Sequence, residues 1–186
     1  MGGYRAAVTA HALVCAAATG GGRGSGAADL ELAASTLDYL AGDWDVVREI
    51  ADHRSGVAGS FRGRASFRLR PESEAADPGG QGCRMLELAE QGQLRFGAHY
   101  GPAGRSLLYH GCSDGSADVR FADGREFYHL DLRTGACRAV HLCRADRYAV
   151  TVTWLTADSF TEVWQVTGPA KNYDLTSVYT RTGCAS

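Results

Sequence analysis

From Gly42 onward, apolar or small residues recur at every second position, most clearly over residues 57–70. Val57, Gly59, Phe61, Gly63, Ala65, Phe67 and Leu69 alternate there with Ser60, Arg62, Arg64, Ser66, Arg68 and Arg70. A period of two, with one small or apolar face and one rich in arginine and serine, predicts a long strand with one side in water. Such alternation belongs to antiparallel sheets. Turn signals recur at 53–56, 101–104, 113–115, 123–124, 134–135 and 168–169. Between them the pattern predicts strands at 42–52, 57–70, 82–91, 93–100, 106–112, 117–122, 125–132, 137–144, 146–155 and 159–167. A last strand falls at 172–181 if the earliest pairs merge. Residues 71–82, with Pro71, Pro78, Gly79 and Gly80, make the one long loop. Regular short strands joined by hairpins predict a meander closed into a barrel or folded as a sandwich.

Ahead of the strands the period changes. Leu30, Ala33, Leu37 and Leu40 draw a single apolar stripe, which predicts a short helix over 29–41 with Asp29 as N-cap and Gly42 as the C′ residue. Residues 1–28 form an Ala/Gly-rich extension with no acid before Asp29, set apart from a single domain at 29–186. Arg5 followed by an apolar stretch also fits a secretory or organelle-targeting segment. If the extension is retained and ordered, it needs a surface to pack against, which points to other protein subunits.

Composition narrows the function classes. The chain has 186 residues and a net charge of −2, so no basic excess exists to neutralise nucleic-acid phosphates. No apolar run approaches the length of a membrane-spanning helix. Six cysteines without a C-x-x-C pair signal neither a zinc ribbon nor a thioredoxin motif. Free thiols in a reducing compartment fit a chain long enough to fold without staples. The expected location is therefore intracellular: cytoplasmic, or mitochondrion or plastid if the source is eukaryotic. The 24 glycines split between the extension and the turns that a meander requires.

Leu40-Ala41-Gly42-Asp43-Trp44, at the junction of helix and first strand, resembles the G-x-W opening of lipocalins and related calycin barrels. In those barrels a last-strand Arg stacks over the Trp and closes one end, a favourable cation–π pair; Arg181 matches that Arg. More closely, residues 37–181 resemble an uncharacterised family of lipocalin-like domains. The resemblance rests on 40–44, on Arg120-Phe121-Ala122-Asp123-Gly124-Arg125, on Phe127 to Leu132, and on Trp164 to Tyr173. The family pattern often has a His where this chain has Tyr128, with His129 beside it. The resemblance implies an all-β, antiparallel barrel of about ten strands with a short N-terminal helix, and no assigned activity.

Candidate chemistry follows from register. A two-residue Asp123-Gly124 turn pairs 122 with 125, 121 with 126 and 119 with 128. A loop at 133–136 then pairs Leu132 with Cys137 and Tyr128 with His141. On that register Tyr128, His141 and Cys143 point inward, with Asp146 and Tyr148 on the next strand. This set offers a ligand-binding or acid–base site inside the barrel, or a hydrogen-bonded core. His141-x-Cys143 supplies two metal ligands, and zinc would need Cys137 as well, so no metal is expected. No cofactor is expected either; haem would need a single axial His such as His99, His110 or His129. Glu87, alternating with Met85 and Ala89, is expected to point inward and pair with Arg95 or Arg120. Lys171, the sole lysine, is a candidate anion contact in the turn after Gly168-Pro169. No nucleophile elbow, P-loop or dinucleotide fingerprint occurs. The expected role is a non-catalytic binding or accessory subunit of a larger assembly. A free carrier of a small hydrophobic ligand and a barrel-interior acid–base enzyme are the alternatives.

Overall fold

The computed structural model describes residues 35–71 and 84–183. The extension at 1–28, the Asp29 cap and most of the 71–82 loop lie outside the described residues. A short helix α1 (Thr36–Leu40) precedes ten strands. They are β1 (Gly42–Asp52), β2 (Ala58–Leu69), β3 (Met85–Phe96), β4 (His99–Gly111), β5 (Ala117–Phe121), β6 (Glu126–Leu130), β7 (Ala136–Cys143), β8 (Asp146–Thr156), β9 (Ser159–Gly168) and β10 (Lys171–Arg181). Every pairing is antiparallel, and the spatial order is β6-β5-β4-β3-β2-β1-β10-β9-β8-β7. The first and last strands pair along their length, so the chain is an up-and-down meander rolled into a nearly closed barrel. The seam lies between β6 and β7, the two ends of the hydrogen-bonded order.

Alternation sets the inner face. In β1, Trp44, Val46, Arg48 and Ile50 are buried while Asp45, Val47 and Glu49 are exposed. The curvature of β2 and β3 rests on Gly63 and Gly92, which face each other in register. A Cβ at Gly63 would lie 2.3 Å from the Gln91 carbonyl and 2.7 Å from the Phe61 ring. The ring therefore covers ground that only glycine leaves open, a common corner device in barrels.

The helix plugs one end. Leu37, Tyr39 and Leu40 are buried against Trp44. The plug is fastened by Thr36, whose N–H donates to the Gly115 carbonyl and whose hydroxyl accepts from Leu132 N–H. Trp44 Nε1 donates to the Leu40 carbonyl at 2.8 Å. Gly42, at φ +120°, turns the chain from helix to strand in a backbone region that suits glycine.

Several expected boundaries shift. The segments 82–91, 93–100 and 106–112 are two long strands rather than three, and the Gly101-Pro102-Ala103-Gly104 signal lies inside β4. The real turn is at 97–98, where Gly97 has φ +55°. Pro102 is tolerated because β5 pairs with β4 only over Leu107–Gly111, which leaves this half of β4 with one unpaired edge. The expected helix begins only at Thr36 within the described residues. The expected pairing of 132 with 137 and 128 with 141 does not form, because β6 and β7 are the barrel's two unpaired edges.

Candidate functional site

The barrel interior is divided by a layer of charge. Arg48 donates to Glu90 through Nη1 at 2.5 Å and Nη2 at 2.8 Å, and its Nε reaches Ser177 Oγ at 2.7 Å. Arg105 Nη2 donates to Glu162 at 2.7 Å and to the Tyr179 hydroxyl at 2.7 Å. Tyr179 in turn donates to Glu90 at 2.9 Å. Two guanidiniums, two carboxylates and a phenol thus form one neutral cluster reaching across the barrel from β1, β3, β4, β9 and β10. Arg48, Glu90 and Glu162 are buried, whereas the Arg105 side chain keeps 16% of its surface exposed.

Burial alone would raise the Glu90 carboxyl, but the Arg105 and Arg48 guanidiniums outweigh it and hold its pKa at about 2. Burial pushes the Tyr179 hydroxyl well above the ordinary phenol range, so it serves as a neutral donor. Burial likewise raises Tyr109 and Tyr128, which feel the charges of Glu162 and Arg105.

On the plug side the barrel is filled. Trp44, Phe160 and Tyr179 pack in sequence, with ring centroids 4.9 and 4.3 Å apart. A void of about 10 Å³ remains between this stack, Leu130, Val152 and Glu162, room for about one water. The opposite half has an aromatic wall. Phe127 lies parallel to Trp164 at 5.1 Å and meets His141 edge-on at 5.1 Å, while Phe121 is 4.4 Å from Phe127. Phe127 reaches this wall because a β-bulge shifts the β5–β6 register between Val119 and Arg120. Val119 still pairs with Tyr128, as expected, but Glu126 pairs with Arg120 instead of Phe121. Trp164 is 4% exposed, and its Nε1 has no hydrogen-bond partner among the described residues.

The candidates named from sequence are distributed differently. Trp44 and Arg181 are register partners, with the Arg181 guanidinium 4.2 Å from the indole centroid. Arg181 also donates to the Tyr39 and Ala41 carbonyls, tying plug to barrel. Tyr128 and Tyr148 are buried. His141 is half-buried among Phe121, Phe127 and Tyr148, not hydrogen-bonded to Tyr128. Cys143 is exposed at the rim end of β7, and the Cys137 thiol turns to the His129 carbonyl, so the two do not join His141 in a metal site.

Glu87 faces outward, 3.6 Å from Arg70, instead of inward toward Arg95 or Arg120. The inner parity of β3 is Leu86, Leu88 and Glu90, one residue away from the expected one. Lys171 is the first residue of β10 and is held by Asp146 at 2.6 Å and by the Tyr148 hydroxyl. Burial would lower its pKa, but these two hydrogen bonds raise it further, so its charge already has a counterion. Asp146 and Tyr148 thus meet at Lys171 with His141 beside the Tyr148 ring, while Tyr128 packs edge-on against Phe127 and Trp164. Neither His99 nor His129 is buried; His129 pairs with Asp118 at 2.8 Å on the outside.

The central cluster was missed by sequence reasoning, yet it leaves a signal. Arg48, Glu90, Arg105, Glu162 and Tyr179 all occupy the apolar parity of their strands, in phase with Trp44, Leu88, Leu107, Phe160 and Leu175. A charge repeatedly placed in phase with core residues marks an interior polar group.

Comparison with known proteins places this geometry. The sequence model of DUF6314, a family of unknown function, matches residues 40–181, and the chain belongs to that family. None of the curated proteins matches it. The S-type phycobiliprotein lyase CPES from Guillardia theta shares the fold with a TM-score of 0.59 at 9% identity, over 80% of this chain and 92% of that one. A redesigned β-barrel, mFAP1, solved bound to DFHBI, aligns with a TM-score of 0.40 at 14% identity, over 78% and 97% of the two chains. Another redesigned barrel, b11L5F_LGL, aligns at 0.41 and 12% identity, over 80% and 98%. Among the described residues no helix is long and apolar enough to cross a membrane.

Proposed function

We propose that this DUF6314 barrel binds a small planar molecule carrying a hydrogen-bond acceptor, in the half of its interior away from the plug. The observation that carries the reading is the charged layer beneath an aromatic wall. Buried ion pairs seldom stabilise a fold better than apolar residues of the same size, so a barrel built only to be stable would fill this layer with Leu and Val. The buried Trp164 N–H supports the same reading, because a donor without an acceptor costs roughly 1–3 kcal/mol until something supplies one. Arg105, partly exposed, is the member of the layer that a ligand can reach. Phe121 and His141, both half-buried beside Phe127, offer ring surface for stacking. Service as a subunit of an assembly rests on residues 1–28, outside the described residues.

The test uses naphthalene-1-sulfonate as a planar, acceptor-bearing probe, followed by its fluorescence. Saturable binding of one probe per chain is expected, weakened at least about tenfold by Trp164→Phe and by Arg105→Met. Native mass spectrometry of protein from its source cells should show a bound small molecule. Probe binding that does not saturate, or that both variants leave unchanged while their unfolding curves match wild type, overturns the proposal.

A further inference from the structure

On the outer face, next to the seam, three unlike side chains converge. Cys112, in the turn after β4, Asp118 on β5 and His129 on β6 each offer one ligand atom, and these atoms all lie within 4.8 Å of one another. Two are register partners, Asp118 opposite His129, and their side chains hydrogen-bond at 2.8 Å. The turn carrying Cys112 is fixed by its own backbone: Cys112 N–H donates to the Ser116 carbonyl at 2.9 Å, and Gly115 N–H to the Cys112 carbonyl at 3.0 Å. Asp118 and His129 are about half-exposed, so an ion can enter from solvent.

We infer that Cys112, Asp118 and His129 form a binding site for a divalent transition-metal ion of the zinc class. Thiolate, imidazole and carboxylate are the three protein ligands zinc takes, at roughly 2.0–2.3 Å, which puts neighbouring ligand atoms about 3.3–3.8 Å apart around a tetrahedron. The present separations need side-chain shifts of about 1 Å or less to reach that spacing. The Asp118–His129 contact opens slightly, the Cys112 thiol loses its proton to solvent, and water takes the fourth position. A mixed S/N/O set also disfavours magnesium and calcium, which take oxygen ligands. The site would fasten β6, an unpaired edge of the barrel, to β5 and to the β4–β5 turn. Metal would therefore stabilise the strand that borders the seam, because an ion that binds only the folded chain raises its stability.

The experiment titrates zinc into the full chain, reduced and metal-free, in competition with a chromophoric chelator, and repeats the titration with cobalt to read the absorption spectrum. One ion per chain is expected, with a thiolate-to-cobalt charge-transfer band and a raised melting temperature. Cys112→Ser, Asp118→Asn and His129→Gln should each weaken binding at least about tenfold, and Cys112→Ser should remove the charge-transfer band. Cys143→Ser, at an exposed thiol outside the cluster, should change neither. Since the three positions lie on the surface, circular dichroism should show the variants folded. Absence of stoichiometric binding, affinity unchanged in Cys112→Ser and His129→Gln, or loss in Cys143→Ser alone would overturn the site and leave a surface Asp–His pair beside a turn cysteine.

Discussion

Replacing Glu90 by Gln strands Arg48. In the native barrel the Arg48 guanidinium meets both Glu90 oxygens and keeps only Ser177 and Tyr179 as further partners. Glutamine restores at most one acceptor and no charge, so the interior carries an uncompensated positive charge at a site 4% exposed. Breaking a buried pair in this way costs about 3–5 kcal/mol, a large part of a domain's usual stability of roughly 5–15 kcal/mol. The double variant Arg48→Met/Glu90→Leu removes both charges together. Arg105 still meets Glu162 at 2.7 Å, and Tyr179 still accepts from Arg105 and reaches Glu162 at 3.2 Å. The interior stays neutral, and the double variant should return to within about 1 kcal/mol of wild type or exceed it. Equilibrium urea unfolding of wild type, Glu90→Gln and the double variant compares the three stabilities. A single variant within about 1 kcal/mol of wild type, or a double variant as unstable as the single, would refute the account of this layer as a charge-balanced unit.

Glu90 also sets an acid limit. Its carboxyl pKa is held at about 2 against an ordinary value of 4.5, so its stabilisation is complete above 4.5 and is lost as pH falls toward 2. Urea midpoints measured across that window should fall with pH in wild type, with a shallower slope in Glu90→Gln. Arg181→Ala removes the cation–π contact with Trp44 and two hydrogen bonds to the plug carbonyls, and should cost about 2 kcal/mol in thermal melts, with Arg181→Lys recovering part of it. Gly63→Ala drives a Cβ to 2.3 Å from the Gln91 carbonyl, whereas a Cβ at Gly124 meets no neighbour. Gly63→Ala should therefore destabilise by about 1–3 kcal/mol through overpacking, and Gly124→Ala by about 1 kcal/mol through its positive φ alone; equal losses would contradict the close approach of β2 and β3.

The sequence alone determined the meander, and its resemblance to calycin barrels carried the closure. Strict alternation in β1 and β2 leaves one face apolar, and Trp44 and Arg181 stand at the two ends of the barrel span, where first and last strands meet in register. Those features are local, or tied to a motif, so the chain carries them legibly. The site was not legible in the same way. A strand's period is two, so a one-residue error in β3 put Glu87 inside, where the structure has Glu90. The bulge before Arg120 turned Phe127 inward against the alternation. The partners of Arg48 lie 42, 129 and 131 residues away, and only closure brings them into one layer. Cys112, Asp118 and His129 likewise meet only because β4, β5 and β6 lie side by side. Periodicity decides which face a residue prefers. The register of ten strands around a closed barrel decides which buried charges balance and which ligand atoms share a point.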